Sequence, residues 1–202
     1  VYDAGIQYPH MGWDNTRSWL SQNEFEIELR DVINRELGCN AIRLTGTNYE
    51  YLFKIAEIAT RSAQFDTILL SPRFPDCTRQ EILERITQYA TKAEELREEH
   101  KGIVFCIGNE LAVETIGIGS DFWRFTERVS AKWHNDWKIR LATFLEQLAN
   151  TVSEVFRGEL TYASGFWELP IDWDGLGMSI MSVNEYVEYR SISEMKQELM
   201  RL

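Results

Sequence analysis

Residues 102–111 read GIVFCIGNEL, and this stretch decides the fold. Its apolar run 103–107 shows no alternation of polar and apolar residues, which is typical of a strand covered on both faces. Strands of that kind belong to parallel sheets, in which helices connect one strand to the next. The run ends directly before Asn109 and Glu110, so polar groups follow a strand that we expect to be buried.

The alternation of strands and helices continues on both sides of this stretch. We predict six strands, at Ala4–Tyr8, Asn40–Thr45, Asp66–Ser71, Gly102–Gly108, Glu159–Ser164 and Gly175–Val183. We predict helices at Gln22–Leu37, Asn48–Ala63, Arg79–Glu99, Asp121–Phe156 with a break near His134, and from Ser193 to the end. Capping-box spacing precedes four of these helices, with hydroxyl residues at Ser21, Thr47, Thr78 and Ser191.

This order of elements indicates an α/β protein with a parallel sheet. An open doubly wound sheet would carry a glycine-rich turn after its first strand, but residues 8–14 read YPHMGWD and contain neither GxGxxG nor a P-loop. The sequence therefore favours a TIM-type (β/α) barrel over residues 1–202 as a single domain. That barrel is incomplete, because about six β/α units are found where a full barrel has eight.

Polar residues collect where the predicted strands end. The pairs are Gln7 and His10, Arg43 and Thr45, Ser71 and Arg73, Asn109 and Glu110, Trp167 and Glu168, and Asn184 and Glu185. In a barrel, the carboxyl ends of all strands meet on one face, which is where active sites are built. We therefore expect these side chains to converge.

The Asn109–Glu110 pair at the end of the fourth strand resembles the acid/base motif of the clan A retaining glycoside hydrolases, which have a (β/α)₈ barrel. The resemblance implies that Glu110 protonates the glycosidic oxygen and that Asn109 binds the sugar 2-hydroxyl. This chemistry needs a carboxylic acid with a raised pKa beside a second carboxylate. The alternative is that Asn109 and Glu110 open a polar loop and cap a helix.

Arg43 interrupts the otherwise apolar strand Ala-Ile-Arg-Leu-Thr, and members of the clan often carry an arginine at the end of the second strand. We expect Arg43 to hydrogen-bond a catalytic carboxylate and keep it ionised; the alternative is that it reaches solvent at the strand edge.

Trp167 and Glu168 could form a sugar platform with an acid beside it, or an aromatic plug over the barrel mouth. Further predicted ligand-binding residues are Gln7, His10 and Tyr186.

The clan's nucleophile is a glutamate at the end of a seventh strand, and no such strand is recognisable after Arg190. Three explanations stay open. The chain is a fragment, or it is a shortened barrel in which Glu168 or Glu185 replaces the nucleophile, or it binds without hydrolysing. In the last case the protein is a binding or interaction module. Six strands leave exposed sheet edges, which predict pairing with a second copy.

Composition limits the partners. With 21 Lys and Arg against 32 Asp and Glu, the net charge is −11, which argues against nucleic acid and against anionic lipid. Seven Trp, eight Tyr and ten Phe supply rings against which a carbohydrate or another small polar ligand packs. No metal spacing is present, and neither a metal nor another cofactor is predicted.

Three cysteines without a CxxC pair, and no visible signal peptide, predict a cytoplasmic location. The preferred hypothesis is a glycosidase, and the runner-up is an inactive or truncated barrel that binds. A third hypothesis is an unrelated α/β enzyme for a small polar metabolite.

Overall fold

A computed structural model of the chain describes residues 2–3, 7–8, 13–14, 22–62 and 64–184. The strands are β1 Tyr2–Asp3, β2 Gln7–Tyr8, β3 Trp13–Asp14, β4 Ala41–Gly46, β5 Thr67–Pro72, β6 Cys77–Thr78, β7 Ile103–Asn109, β8 Thr115–Ile116, β9 Glu159–Gly165 and β10 Ile180–Asn184. The helices are α1 Gln22–Ile27, which a π-helical stretch Glu28–Glu36 continues, α2 Tyr49–Ser62, α3 Arg79–Glu99, α4 Leu111–Glu114, α5 Phe125–Ser130 and α6 Trp137–Ser153. A 3₁₀ turn, Phe166–Glu168, follows β9.

The main sheet has six parallel strands in the order β1-β4-β5-β7-β9-β10. Neighbours in the sheet therefore follow one another in the chain. An α-helix lies in each of the first four connections, and the 3₁₀ turn Phe166–Glu168 lies in the connection between β9 and β10. The sheet curls into a half barrel and does not close. The predicted α/β class and incomplete barrel-like architecture are confirmed at this level. Because every strand runs the same way, all carboxyl ends share one rim.

The core lies between the sheet and the helices on its convex side. Fully buried sheet residues Ile68, Leu70 and Phe105 face this layer. One face of α3 packs into it, and its buried members are Ile82, Ile86, Tyr89, Ala90, Ala93 and Leu96. Burial of one such large apolar side chain contributes about 1.5–3 kcal/mol, so this layer supplies a rigid base for the rim.

Two of the predicted helix caps lie among the described residues. The Thr78 hydroxyl accepts from the Glu81 backbone N–H, and the Glu81 carboxylate accepts from the Thr78 N–H at 2.7 Å, so this capping box is confirmed. The box predicted at Thr47 is wrong. Asn48 Oδ1 accepts from the Tyr51 N–H at 2.9 Å, and an asparagine side chain directly before the helix caps it equally well. The caps at Ser21 and Ser191 lie outside the described residues.

The first strand was placed wrongly by the sequence pattern. Tyr2–Asp3 is the strand that joins the main sheet, next to β4. Gln7–Tyr8 instead pairs in antiparallel fashion with Trp13–Asp14, in a separate two-stranded ribbon. The alternation of the segment Ala4–Tyr8 fits either arrangement, and only the pairing partner separates them.

The sixth strand begins later than predicted, at Ile180 instead of Gly175. Asp172 Oδ1 accepts from the Gly175 N–H at 2.9 Å, and Gly177 has a positive φ of 68°, so turns occupy this stretch.

The break predicted near His134 is confirmed between α5 and α6. The predicted C-terminal helix lies outside the described residues. Within those residues, no helix has both the length and the apolar character needed to cross a membrane.

Candidate functional site

Glu110 is the first residue after β7, and its backbone is left-handed, with φ 43° and ψ 47°. Its N–H donates to the Ala163 carbonyl at 2.8 Å, which ties this residue to β9. Its side chain is 5% exposed. A left-handed non-glycine residue costs about 1–3 kcal/mol and persists only where the surrounding structure enforces it, as at many functional sites.

A polar network links the ends of four strands around Glu110. Arg43 Nη1 donates to Asn184 Oδ1 at 2.8 Å, and Arg43 Nη2 donates to Ser71 Oγ at 2.9 Å and to Asn109 Oδ1 at 2.7 Å. Asn184 Nδ2 donates to Asn109 Oδ1 at 3.0 Å and to Glu110 Oε1 at 2.8 Å. The guanidinium fork thus fixes two amides, and one of these amides holds the Glu110 carboxylate.

The second hydrogen-bonding group of Asn109 is fixed as well. Asn109 Nδ2 donates to Glu114 Oε1 at 3.0 Å, and the same carboxylate forms an ion pair with Arg73. Glu114 is fully buried in α4. Because Asn109 accepts on one side and donates on the other, its amide has one orientation, which the network determines.

Glu168 is buried in a cage of donors beneath the same loop. Its Oε1 accepts from the Ala112 N–H at 2.8 Å, and its Oε2 accepts from the Gly165 N–H and the Tyr162 hydroxyl, both at 2.8 Å. The Tyr162 hydroxyl also accepts from the Leu111 N–H at 2.8 Å. Glu168 and Tyr162 therefore fasten the two residues that follow Glu110 to the end of β9.

Burial raises the pKa of Glu168 to about 7, although the two N–H groups and the Tyr162 hydroxyl act in the opposite direction. The charge of Glu110 contributes to the increase, which places the two carboxyl groups within electrostatic reach of each other. Burial also raises the pKa of the Tyr162 hydroxyl, so this group stays a neutral donor.

An aromatic cavity of about 730 Å³ opens beside Glu110. Its walls include Trp133, Trp137 and Phe125 from the α5–α6 region and Trp167 from the turn after β9. The volume is that of a site for a small molecule, for which about 300–1,000 Å³ is usual.

The structure brings together Arg43, Asn109 and Glu110, and it places Trp167 at the cavity and Glu168 beneath the loop. The catalytic role expected for Glu168 stays a prediction, and the carboxylate has both oxygens engaged. Gln7 lies in the β2–β3 ribbon and not at the end of a sheet strand. His10 and Tyr186 lie outside the described residues.

Arg43 contacts amide and hydroxyl oxygens in place of the expected carboxylate, and it reaches Glu110 through Asn184. Four network residues were not assigned a role from the sequence: Asn184, Ser71, Arg73 and Glu114. The first three stood among the polar residues at strand ends, which was the available signal. Within the described parts of the chain, no group of three or more His, Cys, Asp or Glu side chains could hold a metal ion.

Comparison with known proteins assigns no family. No protein-family model matches the chain, and no curated protein matches it.

Proposed function

We propose that the protein acts on a carbohydrate as a glycoside hydrolase-like enzyme, with Glu110 as the general acid/base. One observation carries this proposal. Asn184 donates a hydrogen bond to the Glu110 carboxylate within a polar network at the rim of the half barrel, and Glu110 also borders the aromatic cavity. A buried carboxyl group between hydrogen-bonding amides and aromatic walls suits proton transfer to a bound ligand.

The reaction begins with proton transfer from Glu110 to the glycosidic oxygen. The bond between that oxygen and the anomeric carbon breaks, and the leaving alcohol keeps the bonding electron pair together with the proton. Water then supplies a hydroxyl group to the anomeric carbon, and its remaining proton restores the Glu110 carboxyl. The net change is glycoside plus water to sugar plus alcohol.

The network supports this step because it fixes the position of the acid, Glu110, relative to the amides of Asn109 and Asn184. Arg43 adds positive charge beside the amides of Asn109 and Asn184. Preorganisation of this kind lowers the reorganisation needed during reaction.

Glu168 serves this proposal as a positioning residue. Its hydrogen bond from the Ala112 N–H and the bond between Tyr162 and the Leu111 N–H hold the backbone directly after Glu110. With both oxygens engaged by three donors, the carboxylate is not oriented to attack an anomeric carbon.

This engagement of Glu168 favours a second candidate function, in which the half barrel binds a carbohydrate without cleaving it. The two candidates share the ligand and differ in the second carboxylate, which retaining and inverting mechanisms both require. For the enzyme, Glu185 would supply this carboxylate, and it lies outside the described residues. A binding protein would keep the amide network and the aromatic walls and would lack turnover.

A panel of aryl glycosides tests the proposal. We expect the wild type to release the aryl alcohol from at least one of them, and Glu110→Gln to be slower by about 10²–10⁴-fold. The matched control is Glu84→Gln, an exposed position on α3, which keeps the wild-type rate. Equal rates in wild type and Glu110→Gln would refute the acid/base role, and ligand binding without release would select the binding function.

A further inference from the structure

The cavity beside Glu110 has walls of a different character from the polar rim. Four aromatic side chains, Trp133, Trp137, Trp167 and Phe125, form most of it, and three aliphatic residues complete the lining. Among the described lining residues, Glu110 is the only ionisable one. The two halves of the site therefore present different chemistry to a ligand.

Two of the aromatic side chains, Trp133 and Trp137, are fixed in place. Trp133 and Trp137 meet edge to face, with ring centroids 4.8 Å apart. Trp133 Nε1 donates to the Arg128 carbonyl at 3.0 Å, so its polar atom is already used by the protein. Arg128 is itself fully buried and donates to the Val113 carbonyl at 2.6 Å, which anchors this wall to α4. A rigid wall binds a planar group at a low entropic cost.

These walls suit neither a free sugar nor an organic cation as their principal occupant. A sugar ring carries hydroxyl groups around its edge, and those hydroxyls would lose water against apolar walls without gaining partners. A cation would use the ring faces, but Lys138 Nζ already lies 5.5 Å from the Trp137 ring centroid. A neutral apolar ring has neither disadvantage.

We propose that this cavity binds the hydrophobic, ring-bearing part of the ligand. The inference rests on the proposed function, under which that part is the aglycone and the sugar lies over the network of Arg43, Asn109 and Asn184. Glu110 belongs to both halves, so its carboxyl stands where the bond between sugar and aglycone has to lie. The substrate class is then a glycoside of an aromatic or alicyclic alcohol, and not an oligosaccharide.

The test is direct binding of the aglycone alone. Calorimetric titration of the full chain with 2-naphthol should show binding, whereas myo-inositol, a polar ring of similar size, should bind at least about tenfold more weakly. Trp167 and its neighbour Phe166 form a matched pair, since they are 42% and 44% exposed and only Trp167 lines the cavity. We expect Trp167→Ala to weaken 2-naphthol binding about tenfold or more and Phe166→Ala to change it less than about twofold.

A second variant protects the test against a folding defect. Val129 lines the cavity and is 56% exposed, so Val129→Asp places a charge in the wall while leaving it in contact with solvent, and we expect binding to be lost. Ile139→Asp, at an exposed position on α6 outside this cavity, should bind like the wild type.

The outcomes separate the inference from the proposed function. Absence of 2-naphthol binding, equal binding of inositol, or equal effects of Trp167→Ala and Phe166→Ala would overturn the inference, even if glycosides are cleaved. Binding that depends on Trp167 and Val129 supports the inference, even if no glycoside in the panel is cleaved, in which case the hydrolase proposal alone fails.

Discussion

Asn184 Nδ2 donates to Glu110 Oε1 at 2.8 Å, a contact between residues 74 positions apart in the chain. It joins the last residue of β10 to the first residue after β7, and Asn184 is held in turn by Arg43. The position of the proposed acid is therefore set by the curvature of the sheet, which brings the two strand ends together, and not by the Asn109–Glu110 segment alone.

Asn184→Ala should lower the free energy of unfolding by about 1–3 kcal/mol, because Glu110 Oε1 and Asn109 Oδ1 lose a donor and Arg43 Nη1 loses an acceptor in a part-buried network. Urea denaturation measures this change. The control is Asn40→Ala, since Asn40 bonds Asp66 at an exposed position and should change stability by less than about 0.5 kcal/mol. Equal losses at the two positions would show that the network contributes no more than a surface hydrogen bond.

Arg43→Lys should destabilise the protein by about 1–3 kcal/mol although it keeps the charge, because one ammonium cannot reproduce the fork that bonds Asn184, Ser71 and Asn109. Arg35→Lys, at an exposed position where Arg35 pairs with Asp31, should stay within about 0.5 kcal/mol of the wild type. Thermal and chemical denaturation of both variants check this. A wild-type stability for Arg43→Lys would mean that charge and not geometry matters at this position.

The left-handed backbone conformation of Glu110 predicts how the stabilities of two variants at this position differ. With φ at 43°, Glu110→Gly should be more stable than Glu110→Ala by about 1 kcal/mol, because glycine adopts this conformation without steric cost. Both variants lack the carboxylate, so their comparison isolates the backbone. At Glu84 in α3 the order should reverse, since glycine is about 1 kcal/mol worse than alanine within a helix. If alanine were the more stable variant at Glu110 as well as at Glu84, the backbone of Glu110 would not be strained.

Glu168 makes stability depend on pH. Burial raises its pKa to about 7, and in the unfolded chain the value returns to 4.5. The folded state therefore binds more protons in this window, and the contribution of Glu168 to stability falls as the pH rises from 4.5 to 7, by up to about 3 kcal/mol. The difference in unfolding free energy between wild type and Glu168→Gln should fall with it.

Glu94 supplies the opposite case as a control. Its hydrogen bond with Arg97 lowers the pKa of Glu94 to about 2, so its contribution is present above pH 4.5 and is lost as the pH falls toward 2. The difference between wild type and Glu94→Gln should therefore rise with pH in this lower window. A pH-independent difference for Glu168→Gln would show that this carboxyl does not titrate between 4.5 and 7.

Local sequence patterns were sufficient to predict the helices and strands that are buried on one face or on both faces. The apolar run of β7 predicted a buried parallel strand. The helix predicted at Arg79–Glu99 with a capping box at Thr78 has the bounds of α3. The predicted position of the first strand was wrong for a physical reason. The pairing of Gln7–Tyr8 with Trp13–Asp14 depends on a partner that the alternation within either segment does not specify.

The candidate site was predictable where polar residues follow strands and unpredictable where contacts are long-range. Arg43, Asn109 and Glu110 stood out because they follow or interrupt apolar strands. The role of Asn184 depends on a contact across the sheet, and the donors around Glu168 include two backbone N–H groups, which no side-chain motif encodes. No motif marks Trp133 and Trp137 in the sequence, and it is their packing beside α5 and α6 that makes them walls of the cavity.

The central claim is that Glu110 protonates the leaving group, and its most direct test is the dependence of hydrolysis on leaving-group acidity in Glu110→Gln. Acid catalysis matters most for alcohols that leave poorly, so we predict a loss of about 10²–10⁴-fold for naphthyl glycosides and a much smaller loss for dinitrophenyl glycosides of the same sugar. Glu84→Gln should show the wild-type dependence. An equal loss for both leaving groups, or no loss for either, would contradict the account.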